Sequence, residues 1–223
     1  MYLCLMTFFV KNNIMNKDIY ILGVGHNTIV YIDLIECCGY TVRGLYHYEA
    51  GQTGNMYYGH KIIGENDDLF SSDLSGKQFC ISVGNNKIRS LLYDEIMMLG
   101  GSIPTLIHPS AVVSKYAKLQ NGVVVHANSV VSPDVIIGED SVISSNDQIT
   151  HGSQIGKHCF VASNVVVGAY VVMHDYAFIG SGATVISGKV SYVGEGALIG
   201  AGAVVTKSVE ANKCVAGNPA REI

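Results

Sequence analysis

The chain has 223 residues, with 14 basic and 18 acidic side chains, a formal net charge of −4 and a pI ≈ 6.0. That balance carries no electrostatic footprint for nucleic acid, which is excluded as a partner. Mean hydropathy is high at +0.30 with only 14% charged residues, but no run approaches the roughly 18 apolar residues that span a bilayer, so a membrane partner is excluded too.

Residues 1–15 read as an N-terminal extension. Met1 to Val10 is apolar but short, lacks a basic leading region, and runs into Lys11-Asn-Asn rather than a small-residue cleavage site. Met15 offers a second start just before the first strand. The six cysteines (Cys4, Cys37, Cys38, Cys80, Cys159 and Cys214) show no CxxC spacing. They read as reduced thiols packing as small hydrophobes in a cytoplasmic protein.

Residues 16–102 read as a small α/β domain. Asp18-Ile-Tyr-Ile-Leu-Gly-Val-Gly25 is an aliphatic strand running into glycines, Asn27 to Cys38 a helix, and Gly39 its stop. Tyr40 to Tyr46 reads as a second strand and Gln78 to Val83 as a later one, leading through Gly84-Asn85-Asn86 into a helix from Lys87 to Leu99. Between Glu49 and Asp73 the polar, glycine-rich sequence reads as loops and a short strand. The pattern is βαβ, in which ligands sit at strand C-termini. The Gly23-Val-Gly25 turn before a helix suits a phosphate, which backbone N–H groups and the helix dipole favour. Read without a ligand, it is an ordinary tight turn. Gly100-Gly-Ser-Ile-Pro104 marks the boundary to a second domain.

In residues 103–223 an aliphatic residue returns every sixth position, from Ile107, Val113 and Leu119 through Ile149 and Ile155 to Val185. The register then slips by two and resumes at Val193, Ile199 and Val205. This period matches neither helix nor simple strand and predicts a hexapeptide β-helix. Counting from the aliphatic residue, the fifth place is mostly small or β-branched and should share the interior with it. Several second places are glycine (Gly138, Gly156, Gly168, Gly180, Gly194, Gly200), read here as permitting a tight corner. The sixth place points outward yet is often apolar, as at Val124, Val130, Ile136, Val142, Phe160 and Val166. Burial of that wall in a homo-oligomer is expected.

The apolar wall is interrupted at Gln148 and Gln154, and between them at a turn stands His151. Histidine is the usual general base near pH 7, whereas an exposed turn histidine is by default a solvated surface residue. His108 and His126, 18 apart, read as structural or surface residues near the start of the repeat. His151, His158 and His174 form no evident triad, so no metal site is expected.

From Asp18 onward the chain resembles the sugar acetyltransferases of the PglD/NeuD type. The residues that carry this are Ile19 to His26, Ser82-Val-Gly-Asn-Asn-Lys-Ile-Arg89, Leu106-Ile-His-Pro-Ser-Ala111, the period-six tract, Gly200-Ala-Gly-Ala-Val-Val-Thr-Lys207 and Val215-Ala-Gly-Asn-Pro-Ala-Arg221. The resemblance implies a small Rossmann-like α/β domain that binds a nucleotide-activated sugar, followed by a left-handed parallel β-helix that forms a homotrimer with acetyl-CoA in the groove between subunits. It implies N-acetylation of a UDP-4-amino-sugar in bacterial glycan biosynthesis, with His151 as general base and a backbone N–H receiving the oxyanion. Gly23, Gly25, His26, Gly84, Asn85 and Asn86 would hold the sugar nucleotide. Gly168, Ser181, Ala201 and Lys207 would meet acetyl-CoA. The family usually has an acidic residue directly after the histidine; here it is Gly152, and Asp147 is the candidate substitute, with Gln148 and Gln154 as further support. The glycine turn is one residue short of the usual form, and Tyr46-His47 stands where an acidic pair is common. Alternatives are O-acetylation of a sialic acid or related sugar, a non-catalytic sugar-nucleotide-binding β-helix protein, and a metal-dependent β-helix hydratase.

Overall fold

The computed structural model describes residues 17–223; the extension read at 1–15 lies outside them. The chain opens with β1 (Asp18–Leu22), α1 (Thr28–Cys37), β2 (Thr41–His47), β3 (Met56–Tyr57), β4 (His60–Glu65), α2 (Asn66–Phe70), β5 (Phe79–Ile81) and α3 (Asn86–Met98). The sheet runs in the order β3-β4-β2-β1-β5, with parallel pairs except for the β3–β4 hairpin. Chain order therefore reverses at β1, and the turns after β1 and β5 lie side by side at this switch point. The segment between Glu49 and Asp73 is more ordered than its sequence suggests, since β4 pairs along β2 despite its polar composition. Its apolar Ile62 is buried beneath the sheet.

From Leu106 onward the chain forms the expected left-handed parallel β-helix. Its strands are two residues long, beginning with β6 (Leu106–Ile107), β7 (Val112–Val113) and β8 (Lys118–Leu119) and ending with β22 (Val204–Val205). Successive strands fall on three faces in turn. The first carries β6, β9, β12, β15, β18 and β21; the second β7, β10, β13, β16, β19 and β22; the third β8, β11, β14, β17 and β20. Partners lie one coil apart, Val124 beside Val142 and Val142 beside Phe160. The two-residue register slip is absorbed in the turn after Val185, before β20 (Tyr192–Val193). A short antiparallel pair, β23 (Cys214–Ala216) and β24 (Arg221–Glu222), closes the last coil.

First and fifth places fill the interior as expected, with Ile137, Ile143, Ile149, Val123, Val135 and Val165 all at 0% exposure. Two details of the repeat differ from the sequence reading. The left-handed residues are the fourth places, among them Asn128, Asp134, Asp140, Asn146, Gly152, His158, Tyr170 and Tyr176. Second-place glycines answer a different need, the approach of the next coil. A Cβ on Gly168 would stand 2.4 Å from the Ser187 nitrogen, and one on Gly180 2.5 Å from the Ala201 nitrogen. These contacts follow from the ladder itself: the second-place N–H donates to the first-place carbonyl of the next coil, as from Gly168 to Val185 at 2.9 Å.

The outward apolar wall is also only partly available to a partner. On the first face, Leu106, Val124 and Val142 are buried against Tyr31, Ile32 and Ile35 of α1, so the chain's own α/β domain covers them. The second and third faces keep apolar side chains in the open, including Val112, Ile136 and Val166.

A buried polar network locks the two domains together. Arg89 of α3, 1% exposed, donates through Nε to Asp140 Oδ2 at 2.9 Å and to the Asp140 carbonyl at 3.1 Å. Its Nη2 reaches the Cys159 carbonyl at 3.2 Å and its Nη1 the Asn86 side chain at 3.0 Å. His158 Nδ1 meets the same Asp140 oxygen at 2.9 Å, stacks on Tyr176 and takes the edge of Tyr93. At the other end of the junction His126 packs edge-on to Tyr31, and burial pushes its pKa down to about 4. Among the described residues no helix is long and apolar enough to cross a membrane.

Removing one partner of a buried ion pair strands the other without its counter-charge, at a cost of about 3–5 kcal/mol. Arg89→Ala is therefore expected to lower the unfolding free energy by that amount, read as a lower urea midpoint at unchanged m, and to expose the α1–α3 domain to limited proteolysis before the β-helix. An unchanged midpoint and digestion pattern would show that the network contributes nothing to the junction.

Candidate functional site

Two regions gather chemistry-bearing residues. The first is a cavity of ≈ 510 Å³ between the turns that follow β1 and β5. Gly23, Gly25, His26 and Gly84 line it, together with Tyr48, Asn66, Ser82 and Ile88. The two turns are pinned to each other through Thr28, whose Oγ1 lies 2.9 Å from Ser82 Oγ, donates to the Gly23 carbonyl at 3.1 Å and accepts from the Gly25 nitrogen at 2.8 Å. Gly23 takes φ +84, and a Cβ there would meet Val83 Cγ2 at 2.4 Å, so only glycine closes this turn. Around Gly25 a Cβ would find open space, leaving backbone exposed to the cavity. A second cavity of ≈ 550 Å³ continues it past His26, Tyr48, His47, Gln52 and Tyr57. Together they form an extended cleft with no Asp, Glu, Lys or Arg in its lining, at the position where doubly wound sheets bind ligands.

Asn85 and Asn86 do not line these cavities. Asn85 caps α3, accepting from the Lys87 and Ile88 nitrogens at 3.0 Å and 3.1 Å, which occupies the helix N-terminal donors. Asn86 turns toward the β-helix and donates to the Tyr176 and Ala177 carbonyls at 3.0 Å and 3.3 Å. Their sequence signal was that of a ligand turn; their side chains serve capping and the domain junction.

The second region is the β-helix corner between the second and third faces. His151 sits exposed at the third place of its hexapeptide, with Gln148 on β13 and Gln154 on β14 exposed to either side. Gly168 and Lys207 belong to the same corner on later coils, whereas Ser181 and Ala201 stand exposed at the corner between the first and second faces. Asp147 does not support His151 from a turn, because its fifth-place register turns it into the coil interior at 0% exposure. There Oδ1 accepts from the Val165 nitrogen at 2.8 Å, and Oδ2 has no hydrogen-bond partner. Burial pushes its pKa up to about 8, so the carboxyl stays protonated at neutral pH.

The residue that does accompany His151 is Tyr170, one coil later. Its ring stands edge-on to the imidazole at 5.3 Å and 89°, and its backbone N–H donates to the His151 carbonyl at 3.2 Å. Sequence reading passed over it, although an aromatic 18 residues after Gly152 in a six-residue repeat is the available signal. Among the described residues no group of three His, Cys, Asp or Glu could hold a metal ion.

No protein-family model matches the chain. A stretch of 49 residues is 45% identical to UDP-N-acetylbacillosamine N-acetyltransferase of Bacillus subtilis, covering 22% of this chain and 23% of that protein; the match thus spans about a quarter of the curated relative's length. The acetyltransferase domain of PglB from Neisseria gonorrhoeae superposes with TM-score 0.84 at 27% identity, over 93% of this chain and 100% of the other. PerB from Caulobacter crescentus, solved with CoA and GDP-perosamine, superposes with TM-score 0.71 at 25% identity over 92% and 97% of the two chains. The resemblance read from the sequence thus extends to sugar acetyltransferases across nearly the whole fold.

A carboxyl whose folded pKa is raised contributes stability that is full below the ordinary carboxyl range and is lost as pH rises toward the folded value. For Asp147 that window runs from pH 3.8 to about 8. Asp147→Asn is expected to raise the melting temperature at pH 8 and to flatten its decline across this window. A lower melting temperature at pH 8 would mean that the ionised carboxylate has a favourable partner.

Proposed function

We propose that this chain, which stands among the hexapeptide-repeat sugar acetyltransferases, transfers an acetyl group from acetyl-CoA to the amino group of a nucleotide-activated amino sugar. The observation that carries this reading is the exposed His151, set between Gln148 and Gln154 on a β-helix similar throughout to that of a sugar acetyltransferase domain.

The α/β cleft suits the nucleotide part of the acceptor. Its glycine turns offer backbone to phosphates, Tyr48 is 65% exposed and presents a ring face for a base, and its volume fits a molecule larger than a free monosaccharide. His151 removes the proton from the acceptor nitrogen as that atom attacks the thioester carbonyl, and later returns a proton to the departing thiolate. On the later coils of its corner, past the exposed Tyr170 ring, the turn residues are small, with Ala169 half-buried and Ser187 and Gly188 exposed, and they lead toward the exposed Lys207. A long thin pantetheine arm fits such a track, and Lys207 would meet a phosphate at its far end. The coenzyme supplies the activated acyl group when bound.

A triangular coil puts the corner of His151 opposite the first face, which the chain's own α/β domain covers. The acceptor held in the cleft of one copy is therefore best presented to His151 of another, and Val112, Ile136 and Val166 on the two open faces are the apolar surface for that association. A cyclic trimer satisfies this with three identical contacts.

Thiol release from acetyl-CoA, measured with a panel of UDP-, GDP- and dTDP-linked amino sugars and free sialic acids, is expected for an amino-sugar nucleotide and to fall by about 10²–10⁴-fold in His151→Ala. No acceptor-dependent release above the mutant's background would overturn the reading. Sedimentation is expected to show a trimer, and a monomer at assay concentration that still turns over would overturn the shared site.

A further inference from the structure

We infer that Tyr170 is the positioning residue of His151, and that position 152 is glycine because the Tyr170 ring requires its space. This rests on His151 acting as the base in the proposed reaction.

A general base at a surface turn needs a third group to fix its orientation, commonly a hydrogen-bonded carboxylate. Among the described residues the His151 side chain has neither a hydrogen bond nor an ion pair, and Asp147 lies inside the coil. Its one ring contact among the described residues is Tyr170, at 5.3 Å and 89°.

The arrangement follows from a rule of this fold. Through most of the β-helix the fourth-place N–H donates to the third-place carbonyl of the preceding coil, as from His158 to Glu139, Tyr176 to Lys157 and Tyr170 to His151. The left-handed conformation then lays the fourth-place side chain back over the preceding fourth place. His158 reaches Asp140, Tyr176 stacks on His158, and Asn212 covers Gly196. By the same geometry Tyr170 lies over Gly152, where a Cβ would stand 2.5 Å from its Cε1 and 2.6 Å from its Cδ1. A side chain at 152 and the ring at its present place exclude each other. The third-place neighbour His151 then receives the ring that a bare Gly152 lets through. Because the backbone bond to the His151 carbonyl fixes where Tyr170 starts, the ring limits which imidazole rotamers remain open and holds one edge toward the corner where the acceptor arrives.

Two measurements on the full-length protein test this. In carbon–proton NMR spectra of histidine-labelled protein, with the His151 ring signals assigned by their loss in His151→Ala, Tyr170→Leu is expected to move those signals and Tyr170→Phe to restore them nearly to wild type. Unmoved signals in Tyr170→Leu would refute the contact. In the thiol-release assay Tyr170→Leu is expected to lower kcat about tenfold or more with KM for both substrates unchanged, the mark of a misplaced group rather than a lost binding contact. Tyr170→Phe should rescue, and Tyr170→Leu added to His151→Ala should cost nothing more. Gly152→Ala should lower kcat by displacing the ring, so its effect should vanish in the Tyr170→Leu background. A raised KM, or additive losses in either pair, would overturn the positioning role. If the wild type acetylates nothing while the NMR signals shift as expected, the proposed reaction fails and the orientation of His151 by Tyr170 stands.

Discussion

The coil-to-coil backbone ladder is the constraint on which the rest of this structure depends. Each coil lays two-residue strands on three faces and donates its second- and sixth-place N–H groups to carbonyls of the next. Because the backbones are stacked at this spacing, every place in the hexapeptide has a fixed direction. First and fifth places fill a dry interior, second places touch the next coil's backbone, and fourth places adopt the left-handed conformation and fold back over the coil before. Asp147 shows how strict this is, since its register carries a carboxyl into the interior and leaves Oδ2 unpartnered. Desolvation there favours the neutral acid.

The same ladder explains why the two domains behave as one unit. Asp140 is a fourth-place residue, so it projects along the corner where it meets His158 from the next coil and Arg89 from α3. Charge, hydrogen bonds and the adjoining apolar patch of Leu106, Val124 and Val142 act over one contiguous surface. The α/β cleft is thereby held in fixed relation to the β-helix by side chains bonded across the junction. Asn86 belongs to this group, since its donors are spent on the Tyr176 and Ala177 carbonyls.

At the His151 corner, two successive outward places are the polar Gln148 and Gln154, and the Tyr170 ring stands edge-on to the imidazole. The corner combines an exposed imidazole and backbone pinned by interstrand bonds, a rigid platform that would suit the proposed reaction, which needs little more than a placed base and an activated acyl donor. In the α/β domain, Thr28 and Ser82 tie the two glycine turns of the cleft into one rim, where the proposed acceptor nucleotide would sit.

The sequence by itself determined the β-helix, the α/β domain before it, the slip after Val185 and the turn position of His151. It could do so because a six-residue period assigns each side chain a direction without reference to distant residues, and because strand-glycine-helix punctuation is local. It also marked Gly23, Gly25, His26 and Gly84, which do meet in one cleft. Only the tertiary structure decided that Asn86 anchors to the β-helix, that one apolar face is covered by the chain's own helix, and that Tyr170 reaches His151. Each of these depends on what lies one coil or one domain away, up to about 90 residues along the chain, and a hydrogen-bonding side chain looks the same in sequence whether its partner is a ligand or the backbone of its own neighbour.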